Sequence, residues 1–178
     1  MSSLWSFWLK WLLTALSFPF GGGVAFALAG PATSPLKGAL AGAIAGAVIG
    51  IAQWLVLRQF LSSGVFWILA SGIGLAAGLA LGLAVLGART DTVTLLLRAA
   101  LTGAVVGLLQ WLLLRQEFAM AGWWILAVTI FWVLGWAITR AVGVDLSKGW
   151  AVFGISGAIV FAALSGILVV WLIRHPVP

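Results

Sequence analysis

The sequence predicts an all-α membrane protein: six transmembrane helices arranged as three tandem helical hairpins with pseudo-threefold symmetry. Three observations carry this reading. The 178 residues are 64% hydrophobic and 7% charged, with a mean hydropathy of +1.25. A soluble domain is about 25% charged, so this chain lacks the polar residues to cover a folded surface in water; the same apolar content excludes a disordered chain. Apolar runs of about 20 residues, the length that crosses a bilayer, recur between breakers along the whole sequence. Finally, the chain repeats itself. Residues 1–178 read as a single transmembrane domain.

Taken in order, the first span covers about residues 8–29, preceded by a Trp-rich interfacial turn. Lys10, the apolar run and Ala27-Leu28-Ala29 have the look of a signal peptide, but Trp5, Trp8 and Trp11 crowd the region that should be basic, so an uncleaved first helix is expected. Pro31 and Pro35 mark the first loop. The second span, about 37–57, ends at Arg58. The third, about 65–86, is followed by the polar segment Gly87-Ala88-Arg89-Thr90-Asp91-Thr92. The fourth, about 93–114, ends at Arg115, and Asp91 has the chemistry of its N-cap. The fifth is about 122–140. A loop holding Asp145 and Lys148 leads to the sixth, about 150–173, closed by Arg174, His175, Pro176 and Pro178. These runs are apolar on all sides and lack the alternation of a membrane barrel. Helices satisfy their own backbone in lipid.

The repeat is read at an offset of 57. Gln53-Trp54-Leu55-Val56-Leu57-Arg58-Gln59 matches Gln110-Trp111-Leu112-Leu113-Leu114-Arg115-Gln116, and Phe66-Trp67-Ile68-Leu69-Ala70 matches Trp123-Trp124-Ile125-Leu126-Ala127. A fainter third copy places Trp11 and Gly22 against Trp67 and Gly78, and Gly166 and Arg174 against Gly107 and Arg115; Val169-Val170 stands where Gln-Trp is expected. The units are approximately 5–58, 62–115 and 119–174. Each holds two helices, so all share one orientation and are related by an axis along the membrane normal.

Small residues line these helices. Gly38, Gly42, Gly46 and Gly50 recur every four residues, as do Gly74, Gly78 and Gly82, while Gly103 and Gly107 repeat Gly46 and Gly50. Such faces let backbones approach closely where lipid gives no hydrophobic drive for association. Packing within the chain is the plain reading; docking of another subunit or a flat ligand is the functional one.

Polar groups inside spans mark candidate sites. Gln53 and Gln110 lie just inside one interface. Interhelical hydrogen bonds account for them, with Trp54, Arg58, Trp111 and Arg115 as interface anchors. Ligation of magnesium or a lipid headgroup, or the lining of a pore, are the sharper readings. Arg98 lies two turns inside the fourth span, either snorkelling or forming an anion or lipid-phosphate site. Trp132 and Trp136 share a face of the fifth span and either pack or stack on a planar ligand. Ser71, Thr102, Thr129, Ser156 and Ser165 are expected to bond back to helix carbonyls, and Glu117 and Asp145 to be solvated.

The nine cations, against three acids, are scattered singly, which fits contact with anionic headgroups and no nucleic acid. The absence of cysteine removes disulfides and thiolate chemistry. The single histidine, His175, has no carboxylate or serine nearby in sequence, no metal-ligand set is recognisable, and no enzyme is expected. Cations divide four against five between the two sides, which sets no orientation; the Gln-Trp-x3-Arg turns favour cytoplasmic termini. No cofactor is evident, and a chlorophyll or carotenoid finds no histidine ligand in the spans.

The repeated Gln-Trp-Leu-x-Leu-Arg segment followed by Trp-Ile-Leu-Ala, across residues 38–140, resembles a group of uncharacterised multi-pass proteins common in cyanobacteria and filamentous phototrophs. The resemblance implies a bacterial inner or thylakoid membrane and no activity. Together these features lead to the expectation of a non-enzymatic scaffold or accessory subunit that packs against membrane lipids, pigments, a larger membrane complex or a second copy of itself. The alternative is a small hydrophobic-ligand binding or transport protein, the size of a vitamin-transporter substrate subunit, with a mid-membrane cavity lined by Gln53, Gln110 and Trp132.

Overall fold

The computed structural model describes residues 4–62 and 64–177; Pro178 lies outside the described residues. Six helical spans are long and apolar enough to cross a membrane. The first is built from α1 (Leu4–Leu13) and α2 (Ser17–Ala29), joined by a 3-10 turn at Thr14–Leu16. Pro19 offers no N–H to the Ala15 carbonyl and its ring crowds that group, so the helix tightens just before it. Thr14 Oγ1 and Ser17 Oγ donate to the Trp11 and Thr14 carbonyls at 2.7 and 2.6 Å. The helix already includes Leu4, so Trp5, stacked on Trp8 at 5.0 Å, belongs to the span and not to a preceding turn.

The other spans are α3 (Pro35–Leu57), α4 (Phe66–Leu86), α5 (Thr92–Leu114), α6 (Trp123–Ala141) and α7 (Ile155–Ile173). Local chemistry fixes their ends. Ser34 caps α3 ahead of Pro35, and Asp91 caps α5 by accepting from Thr94 N–H at 3.0 Å. That bond, with Arg89 at 3.1 Å, holds the Asp91 carboxyl below its ordinary pKa. Gly30 and Gly87 end α2 and α4 at φ of 72° and 71°, where a side chain would be strained.

The sixth span is shorter than its apolar run. Helix starts at Ile155, not near residue 150. Gly149 turns the chain at φ 70° and its carbonyl accepts from Ala32 N–H at 2.9 Å. The next residues, Ala151, Val152 and Phe153, are buried without being helical. Their apolarity reflects contact with protein. Non-helical backbone at this depth is tolerated when protein surrounds it.

Each helix lays its small-residue face on the next. A Cβ at Gly42 or Gly46 would come within 2.5 Å of the Leu75 or Ser71 carbonyl oxygen on α4; at Gly38 and Gly50 it would meet Leu83 and Ile68. Gly74, Gly78 and Gly82 face Val106, Thr102 and Arg98 on α5, and Gly103 and Gly107 face Thr129, Trp132 and Ile125 on α6. Gly157 on α7 abuts the Gly135 carbonyl on α6, and Gly166 receives Trp8 and Trp11 of α1. The six spans therefore close into a ring, with the last beside the first. These faces are occupied within the chain and are not free to dock a second subunit.

The ring is filled, on its loop-side half, by aromatic side chains. Phe153 lies 5.0 Å from Phe18 in a stacked pair, 4.8 Å from Trp132 and 6.1 Å from Trp136 edge-on, and 5.9 Å from Phe161. Gly135 makes room for its ring. Trp132 and Trp136 thus pack on the chain's own Phe153, and no slot between them is left for a planar ligand.

Candidate functional site

Three places concentrate chemistry: the helix seams near the terminal side, an arginine pocket on the opposite side, and the outer surface. At the seams, Gln53 and Gln110 are 2% and 3% exposed. Gln53 Oε1 accepts from Trp67 Nε1 at 3.0 Å, and Gln110 Oε1 from Trp124 Nε1 at 2.9 Å. In both, a glutamine near the end of one span clasps a tryptophan fourteen positions later, at the start of the next. Where α7 meets α1, Val169 stands in place of the glutamine, and Trp11 Nε1 donates instead to Ser165 Oγ at 2.9 Å, one turn earlier on α7. The same contact recurs with a different acceptor.

Ser71 and Ser165 also serve neighbouring helices, beyond the bond to its own helix that Ser165 makes as expected. Ser71 Oγ accepts from Gln110 Nε2 at 3.0 Å, while Ser165 donates to the Ala162 carbonyl as well as accepting from Trp11. Thr102 and Thr129 bond back to the Arg98 and Ile125 carbonyls. Both glutamine oxygens are engaged by indole donors, so a magnesium ion or headgroup would have to displace those bonds. Trp54 and Trp111 lie under Arg58 and Arg115 at 5.9 and 5.1 Å, anchoring the same end of α3 and α5.

Gln110 carries two interhelical bonds, so Gln110→Leu strands both the Trp124 indole and the Ser71 hydroxyl. Membrane hydrogen bonds average about 0.6 kcal/mol, and an orphaned buried partner adds about 1–3 kcal/mol. Gln110→Leu is expected to cost about 2 kcal/mol in detergent unfolding, more than Gln53→Leu, and adding Trp124→Phe should recover part of the loss. Equal costs for the two glutamines would contradict this arrangement.

Gln53, Gln110 and Trp132 do border one narrow space, together with Phe18, Ser71 and Phe161. Its volume is about 10 Å³, enough for one water at most. The ligand cavity expected at Gln53, Gln110 and Trp132 is not formed among the described residues. Trp132 Nε1 is buried without a partner among the described residues.

Arg98 lies apart from these seams. Its stem runs over Gly82, where a Cβ would meet Cγ at 2.6 Å, and Nη1 donates to the Gly87 carbonyl at 2.9 Å. Arg98 lines a small pocket of about 40 Å³ between α4 and α5, bordered also by Thr33, Thr90, Trp136, Ser147 and Trp150. Arg140 approaches the same loop, its Nη1 donating to the Thr90 carbonyl at 3.1 Å.

On the terminal side, Glu117 ties three segments together. Its carboxylate accepts from Ser62 N–H at 3.0 Å and Ser62 Oγ at 2.5 Å, and its carbonyl accepts from Val177 N–H at 2.9 Å. It is half-buried and latched, not free. The Ser62 hydroxyl and amide hold its carboxyl below the ordinary value of 4.5. A lowered folded pKa means the latch is intact above 4.5 and lost as pH falls through the folded value. Protection of the Ser62 amide against hydrogen exchange, relative to a free amide at the same pH, should therefore persist at neutral pH and fall only below pH 4.5; loss of protection near neutrality would refute the latch. Asp145 is likewise capped by Ser147, whose hydroxyl and amide lower its pKa.

The outer surface holds an open, wholly apolar groove of about 680 Å³ between α6 and α7, lined by Trp123, Ile130, Phe131, Leu164, Ile167 and Trp171 among others. Sequence reading missed it, because it arises from the relative placement of two helices and not from any residue pattern. Comparison with known protein families, curated proteins and solved structures finds no match for the chain.

Proposed function

We propose that this six-span membrane protein is a non-enzymatic scaffold or accessory subunit that works through its outer surface. The observation that carries the reading is a contrast of spaces: about 680 Å³ in the apolar α6–α7 groove against about 10 Å³ at the bundle centre. A transporter needs the second space to be large, whereas a packing subunit needs the first. The groove suits an apolar rod, such as a partner helix, a lipid chain or a carotenoid. It supports membership of a larger membrane complex or a homo-oligomer. The Gln-Trp-x3-Arg segments support a bacterial inner or thylakoid membrane with cytoplasmic termini.

Extraction from the native membrane, followed by native mass spectrometry and an absorption spectrum, tests this reading. A photo-crosslinker at Ile130 or Ile167, on the groove wall, should capture a membrane protein, lipid or pigment, while one at Leu97 on α5 should not. A free monomer without adducts at the groove would overturn the reading.

A further inference from the structure

The geometry points to an oxyanion-binding site at Arg98, on the side of the membrane opposite the chain termini. Nη1 is anchored on the Gly87 carbonyl, and the remaining N–H groups of the guanidinium have no partner among the described residues. The group remains cationic in proteins, and among the described residues no carboxylate lies within ion-pair distance of it, Asp91 attracting it only from farther off. Asp91 is taken by Thr94 N–H and Arg89, and Asp145 by Ser147. Around the guanidinium the pocket presents Thr33, Thr90, Trp136 and Trp150, hydroxyl and indole groups able to donate. Neither indole N–H is hydrogen bonded among the described residues. Arg140, fixed on the carbonyl of the pocket residue Thr90, adds a second positive charge beside that wall.

The volume of about 40 Å³ admits a few waters' worth of ligand, the scale of a phosphate or carboxylate group. An apolar recess of about 240 Å³ shares Trp136, Leu146 and Trp150 with this pocket and continues to Pro19, Val152 and Phe153. The oxyanion therefore comes either from solution or from a lipid headgroup whose chain lies in that recess. A planar guanidinium held by a backbone carbonyl is suited to both.

The full chain in nanodiscs of phosphatidylcholine, titrated with inorganic phosphate at constant ionic strength, tests the first source. Nanodiscs containing phosphatidylglycerol test the second. The indole ¹⁵N–¹H signals of Trp136 and Trp150 report occupancy; those of Trp54 and Trp111, at the far ends of their helices, are internal controls. Movement of the first pair with phosphate assigns a soluble oxyanion, and movement with phosphatidylglycerol alone assigns a headgroup. In either case Arg98→Gln should weaken the response about tenfold or more, Arg98→Lys less, and Arg174→Gln not at all. If neither probe moves the two signals in the unsubstituted protein, the site does not exist, a result that depends on no variant folding. Equal responses from folded Arg98→Gln and the parent would also overturn it.

Discussion

Gly42→Val is expected to destabilise the bundle by about 3 kcal/mol, the upper end of the range for overpacking. A Cβ at this position would lie 2.5 Å from the Leu75 carbonyl oxygen, 2.7 Å from its carbon and 2.8 Å from Ala76 Cα. All three are backbone atoms, so no rotamer change relieves the clash and α3 must move away from α4. The neighbouring glycines then lose their contacts too, since Gly46 and Gly50 sit on the same pair of backbones. In lipid nothing replaces that loss, because van der Waals packing is what holds the helices together. Gly23→Ala is the matched control: nothing lies within 4 Å of a Cβ there. Unfolding in mixed micelles or by steric trapping should separate the two variants clearly. A Gly42→Val protein within about 0.5 kcal/mol of the parent would mean that the two helices are not this close.

Phe153→Ala should produce a second large loss, also about 3 kcal/mol, the lower end of what Phe-to-Ala changes cost in packed cores. Phe153 is fully buried and meets Phe18, Trp132, Trp136 and Phe161. Removing it opens a void lined by rings, which stays dry. It also frees the non-helical segment that seals the ring, because Gly154 N–H is held only through Thr139 Oγ1 at 3.1 Å. Phe153→Leu should lose less, as a partial filler. Phe20→Ala, at a residue 66% exposed on the outside, should change little. Equal costs at positions 153 and 20 would show that the aromatic cluster contributes nothing beyond its apolarity.

Helix count and positions were legible because lipid imposes a length and forbids polar backbone, and both constraints act directly on composition. The breakers Pro35, Gly87 and Asp91 end or begin helices as their local chemistry dictates. The sixth span was misjudged for a related reason: Ala151, Val152 and Phe153 are as apolar as a membrane helix, and hydropathy does not distinguish burial in lipid from burial in protein. The glutamines were visible as candidates, but their partners were not. Trp67 and Trp124 resemble belt residues in sequence, and only the helix arrangement turns their nitrogens onto Gln53 and Gln110. Ser165 was harder still, since it stands one turn from the position that the repeat nominates. Arg98 was recognisable by its depth. That Gly82 makes space for its stem depends on the register between α4 and α5, which no single-helix pattern carries.

The closing seam between α7 and α1 has a topological consequence. Leu4 and Arg174 border a common cleft, so a short linker could join α7 to α1 directly, and the polypeptide could be reopened between α3 and α4 instead. Such a circularly permuted chain, beginning at α4 and finishing with α3, would preserve every helix neighbour. The order in which the chain visits the six spans is therefore not what sets which spans are neighbours.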